Sequence, residues 1–134
     1  MEKIIIYTDG ASRGNPGLAA VGAVIFDGEK VLAELRNFLG EQTNNWAEYE
    51  AVAQVLEKAH ELNLMDREIE IRLDSKLVAE QLSGNWKIKS DTIREQHRKV
   101  TEILKDFESV IYVHVPREKN TYADRLANEA IDNR

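Results

Sequence analysis

Stretches of β-branched and aromatic residues, alternating or continuous, mark five strands along the chain: Lys3 to Thr8, Ala20 to Phe26, Val31 to Phe38, Glu68 to Leu73 and Val110 to Val115. Asp27-Gly28-Glu29 supplies the turn between the second and third. Apolar residues recurring at steps of three and four predict helices over Asn45 to Leu62, Lys76 to Leu82, Ser90 to Phe107 and Ala123 to Asn133. A three-strand meander followed by helix, strand, two helices, strand and helix implies an α/β fold: a five-stranded mixed sheet flanked by helices. No repeat, low-complexity stretch or linker interrupts this order, so residues 1–134 read as one domain.

Composition narrows the chemistry. With 43% hydrophobic residues the chain can bury a core without staples, and with no cysteine it has neither disulfides nor thiolate metal sites. Any metal must be held by oxygen or imidazole. The apolar run Ile4-Ile5-Ile6 meets Thr8 and Asp9 too soon for a secretory core or a membrane span, which predicts a cytoplasmic protein with no membrane partner. The net charge of −6 argues against nucleic acid as a partner, because such binders usually carry a basic face. Acids gathered at a cation site soften that argument, as does the local basic cluster Trp86-Lys87-Ile88-Lys89.

Four of the 24 acidic residues stand where a solvated surface charge would not. Glu48 falls in line with Val52, Val55 and Ala59 on the apolar face of its helix, whereas Glu50, Glu57 and Glu61 share the opposite face with Gln54. Its plainer reading is an acid near the positive end of the helix dipole. Asp9 ends a run apolar enough for a central strand, and the Gly- and Pro-containing stretch from Asp9 to Ala19 separates it from the next strand. Asp74 closes the fourth strand and could instead cap the short helix after it. Asp124 could complete a variant capping box, Thr121-Tyr122-Ala123-Asp124. Together, two acids at strand ends and two in early helical turns can converge at one end of a sheet. Such an oxygen cage suits Mg²⁺ or Mn²⁺ and in-line phosphoryl displacement.

These residues lie within motifs that run in order along the chain: Tyr7-Thr8-Asp9-Gly10-Ala11-Ser12-Arg13-Gly14-Asn15-Pro16-Gly17, Thr43-Asn44-Asn45-Trp46-Ala47-Glu48, Asp74-Ser75-Lys76, and His114-Val115-Pro116-Arg117-Glu118-Lys119-Asn120 through Ala123-Asp124-Arg125-Leu126-Ala127-Asn128. Their order and spacing resemble type 1 ribonuclease H, over nearly the whole chain, in a short form without the family's basic insertion. The resemblance implies a ribonuclease H-like fold and hydrolysis of the RNA strand of an RNA–DNA hybrid, with two Mg²⁺ ions, or Mn²⁺ in their place, bound beside the substrate. It implies that Asp9 bridges the ions, that Asp124 completes one and that Glu48 and Asp74 hold the other, leaving 5′-phosphate and 3′-hydroxyl ends. It also implies minor-groove contacts from Asn15, Asn44 and Asn45 and a phosphate contact from Thr43, with Lys76 and Trp86 on the substrate surface. Asn15 also reads as a turn residue, Asn44 or Asn45 as a helix cap, and Trp86 first as a packed hydrophobic anchor.

His114, ten residues before Asp124, matches a product-release histidine of some relatives, but it also reads as an ordinary strand residue. Arg117 is the alternative auxiliary group. His97 lies on the stripe Ile93, Val100, Leu104 and Phe107 and reads as packing; His60 carries no evident role. Double-stranded RNA is a further substrate that the short form suggests, and a monomer is expected because no apolar stripe is left over. The rival readings are another nuclease of the same fold and a binding module that has lost its chemistry.

Overall fold

The computed structural model describes residues 2–134, in the order β1 (Ile4–Gly14), β2 (Gly17–Asp27), β3 (Lys30–Gln42), α1 (Asn44–Glu61), β4 (Glu68–Leu73), α2 (Lys76–Leu82), α3 (Asp91–Leu104), β5 (Ser109–His114), a 3-10 turn (Arg117–Lys119) and α4 (Thr121–Asp132). One five-stranded sheet runs β3-β2-β1-β4-β5, antiparallel through β1 to β3 and parallel from β1 through β4 to β5. This is the mixed, helix-flanked sheet that the hydrophobic pattern predicts.

Side chains alternate across the sheet, and the two faces bury different helices. Ile4, Ile6, Ala23, Ile25, Ile69 and Ile71 pack with Tyr49, Val52, Val55 and Leu56 of α1 and with Val78, Ile93 and Val100 of α2 and α3. On the other face α4 lies across β1, β2 and β3, burying Leu126 and Ile131. Gly22 permits this contact: a Cβ there would stand 2.1 Å from the Ala123 carbonyl oxygen. Among the described residues no helix is long and apolar enough to cross a membrane.

Two departures from the sequence reading bear on the site. The stretch after Asp9 is not a loop. β1 continues through it to Gly14 and pairs residue by residue with β2, from Asp9 opposite Gly22 to Gly14 opposite Gly17, around the turn Asn15-Pro16. Backbone pairing carries this extension, and its small residues Gly10, Ala11, Gly17 and Ala19 leave little alternation for a hydrophobic pattern to register. Glu50 is not on a solvated face either. It is buried at the contact of α1 with α3, accepting from Lys99 (2.8 Å), Gln96 (3.2 Å) and Gln54 (2.9 Å).

Candidate active site

The parallel pairing of β1 with β4 stops at Thr8 opposite Leu73. Asp9 and Asp74 are therefore the next residues on two adjoining strands, set side by side where one strand ends and the other runs on. Glu48 reaches the same place from α1, whose N-terminal part presses on β1 so closely that a Cβ on Gly10 would meet the Ala47 carbonyl carbon at 2.2 Å. Carboxylate oxygens of Asp9, Glu48 and Asp74 lie within 4.8 Å of one another. Asp124, from the first turn of α4, lines the same cavity of about 520 Å³ with Arg13, Asn44, Arg117 and Asn128.

None of the plainer roles for these acids holds. Ser75 caps α2, its hydroxyl accepting from the Val78 amide at 3.3 Å, so Asp74 is not the cap. α4 starts at Thr121, two residues earlier than its periodicity suggests, with Asn120 as its N-cap, so no capping box places Asp124. The first turn of α1 holds no acid, and Glu48 is buried beyond it, out of reach of a dipole explanation.

Glu48 and Glu50 form an internal comparison, two buried carboxylates on one helix. Burial works against the charge of Glu50, but hydrogen bonds from Lys99, Gln54 and Gln96 outweigh it and hold the carboxyl below its usual range. Glu48 has no such shell. Its Oε2 is buried without a hydrogen-bond partner, and burial, then the charges of Asp9 and Asp74, push its proton affinity well above the ordinary value, against the opposing Gly10 amide. Asp9 is pushed up to about 8, by burial first and then by Asp74 and Asp124. Asp74 is raised mainly by burial, with Asn120 and Arg117 pulling the other way. Three carboxylates that repel one another, one of them with an orphaned oxygen, form a group that could hold a divalent cation, and the all-oxygen donor set is of the kind that fits Mg²⁺ or Mn²⁺.

Around this centre the remaining sequence candidates divide into two groups. Asn15 and Asn44 are brought together, the Asn15 side-chain oxygen accepting from the Asn44 amide at 3.1 Å. Thr43, not either asparagine, caps α1, its hydroxyl accepting from the Trp46 amide at 3.3 Å, which leaves the exposed side chains of Asn44 and Asn45 uncommitted to capping. Asn45 lines a second groove, of about 600 Å³, with Leu77, Trp86, Lys87 and Lys89. Trp86 is 44% exposed and forms a wall of that groove with the Lys76 ammonium 5.9 Å from its ring centre. It is not the packed anchor its composition suggests, because the loop that carries it runs outside the core. His114 is exposed at the end of β5 and is absent from the lining of the acid cavity, which Arg117 occupies. His97 packs edge-on to Tyr49 as expected, and His60 pairs with Asp106 at 3.1 Å.

Sequence reasoning passed over two neighbours of Asp124. Asn128 donates to the Asp124 carboxylate (3.3 Å) and accepts from Arg13 (3.1 Å). The four-residue step between Asp124 and Asn128 on a helix was the available signal.

The chain matches the family described as Reverse transcriptase-like over residues 7–130. It is 34% identical to a ribonuclease H of Clostridium botulinum, covering 98% of this chain and 97% of that protein. The chain belongs to the type 1 ribonuclease H family. Within that family it is 44% identical to ribonuclease HI of Halobacterium salinarum over 97% of its length, and the crystal structure of RNase H1 from that archaeon superposes with a TM-score of 0.93, covering 99% of this chain and all of the other. LC11-RNase H1, crystallised in complex with an RNA/DNA hybrid, is 46% identical with a TM-score of 0.93, covering 98% of each chain. The chain spans 65% of the length of the Halobacterium protein and 36% of the mycobacterial proteins that it matches at 44% identity.

Proposed function

We propose that this chain is a metal-dependent endoribonuclease that hydrolyses the RNA strand of RNA–DNA hybrids. The observation that carries the reading is the contrast between Glu48 and Glu50: the protein surrounds one buried carboxylate with three side-chain donors and leaves an oxygen of the other, beside two more acids, without a donor. Family membership and a relative crystallised on an RNA/DNA hybrid support the substrate class.

Asp9 and Asp124 are the residues to hold one ion, and Asp9, Glu48 and Asp74 the other. Bound there, divalent cations supply the charge stabilisation and nucleophile activation that phosphodiester hydrolysis needs, giving 5′-phosphate and 3′-hydroxyl ends. The chain's own groups do the rest. Arg117 stands beside Asp74 and favours its ionised form. Asn15, Asn44 and Asn45 offer amides on the exposed side of the site, where ribose 2′-hydroxyls distinguish RNA from DNA. Lys76, Trp86, Lys87 and Lys89 give the second groove a cationic, partly aromatic wall for the partner strand, so binding is salt-sensitive despite the net charge of −6.

The test is a 5′-labelled RNA annealed to DNA, incubated in magnesium, in manganese and in chelator, with Asp9→Asn beside the wild type and with double-stranded RNA and DNA as further substrates. Metal-dependent cutting of the RNA strand, absent in the variant, is expected. A hybrid that is retarded on a gel yet intact in both metals would mean that the fold serves binding instead.

A further inference from the structure

Asn120 is the N-cap residue of α4, yet its side chain makes no capping bond. Asparagine is favoured at that position because its oxygen accepts from the helix's own first amides. Here the side chain turns away. Its Nδ2 donates to the Thr8 carbonyl at 2.8 Å, joining segments 112 residues apart, and its Oδ1 is buried without any partner. The residue is 1% exposed. It therefore forgoes the cap and carries an unsatisfied buried oxygen, two choices that a residue serving stability alone would not combine.

The place it occupies accounts for both. Thr8 is the last residue of β1 with a partner on β4, so Asn120 sits at the fork from which Asp9 and Asp74 emerge. Its amide lies beside the Asp74 carboxylate. Its own carbonyl accepts from the Asp124 amide at 3.2 Å. One residue thus touches the carbonyl preceding Asp9, the side chain of Asp74 and the helical turn that bears Asp124. Asp9, Glu48 and Asp74 already converge without Asp124, which arrives on a helix from the other face of the sheet and needs a separate tie.

We propose that Asn120 is a positioning residue, which locks the first turn of α4 into the fork between β1 and β4 and so sets Asp124 against Asp9 for shared metal binding. The proposal rests on the reading of the four acids as a metal site, and the experiment separates the two. Mn²⁺ binding to the hybrid-free protein is followed by the ion's paramagnetic resonance signal in wild type, Asn120→Ala, Asp124→Asn and the double variant. Asn120→Thr, which keeps the volume but not the amide, serves if Asn120→Ala does not fold, and Val100→Ala in the buried face of α3 controls for lost packing.

Asn120→Ala should weaken Mn²⁺ by about tenfold or more, the usual size of an effect on a group that orients a ligand. The double variant should bind no worse than Asp124→Asn, because Asn120 acts through Asp124. Hybrid cleavage by Asn120→Ala should lose about ten- to a hundredfold in kcat with KM within about twofold. Losses that multiply in the double variant, or that only match Val100→Ala, overturn the proposal. A wild type that binds Mn²⁺ but does not cleave defeats the hydrolase reading and leaves the Mn²⁺ comparison to decide Asn120; a wild type that binds no Mn²⁺ defeats both.

Discussion

Replacing Asp9 by asparagine keeps the shape of the side chain and removes one charge from a cluster that repels it. In the folded protein without metal the Asp9 carboxyl is pushed up to about 8 from an ordinary 3.8. The folded state therefore binds this proton more tightly than the unfolded one. The stabilisation it brings is complete below pH 4 and is lost progressively as pH rises towards 8. At about 1.4 kcal/mol per tenfold change in proton affinity, the loss by pH 7 has a ceiling of roughly 4 kcal/mol, and a proton shared with Glu48 or Asp74 reduces it to about 2. In chelator at pH 7 Asp9→Asn should thus be more stable than wild type by about 2–4 kcal/mol, or roughly 7–14 °C in Tm for a chain of this size. The gap should close near pH 4. Magnesium should raise the wild-type Tm and raise that of the variant far less. Thermal unfolding of both proteins between pH 4 and 8, in chelator and in magnesium, makes the comparison. A variant less stable than wild type in chelator at pH 7, or a gap unchanged from pH 4 to 8, would refute the reasoning that these acids are held apart from water for a cation.

Gly10→Ala places a methyl 2.2 Å from the Ala47 carbonyl carbon and 2.3 Å from the Glu48 amide. It should cost about 1–3 kcal/mol by thermal unfolding and, by moving α1 off β1, reduce kcat more than a loss of that size at a remote site does. Gln81 accepts from the Tyr49 hydroxyl at 2.8 Å and donates to the Lys87 carbonyl at 3.2 Å, tying the loop that carries Trp86 to α1. Gln81→Leu should raise KM for the hybrid severalfold with kcat near wild type, at a stability cost of about 1–3 kcal/mol measured by denaturant unfolding. Arg117→Ala removes the cation beside Asp74, so the acid limb of the kcat profile against pH should move to higher pH.

Three of the four acids were legible because they broke a pattern, Glu48 on an apolar helical stripe and Asp9 and Asp74 at the ends of apolar strands, whereas Asp124 fitted a capping box and was legible through the motif around it. The sheet and its helices followed from the same periodicities. What stayed hidden depended on partners distant in the sequence. The extension of β1 is held by backbone pairing between small residues, which leaves no mark on a hydrophobic pattern. Glu50 is polar by type and buried only because α3, some 40 residues on, brings Gln96 and Lys99 to it. Asn120 stands at the N-cap of α4 but spends its side chain across the sheet, on a carbonyl 112 residues away that no local rule could find. Trp86 is exposed because its loop is tied down through a backbone carbonyl at Lys87 and not through the indole.

The four acids come from four separated segments, and α4 contributes the one that lies latest in the chain. Polypeptides are made from the N-terminus, so Asp124 is the last of the four to be synthesised. A nascent chain that ends after β4 carries the three clustered carboxylates but lacks Asp124, which lines the cavity with them. The order of the elements therefore leaves the site incomplete until α4 has been made and packed across the sheet.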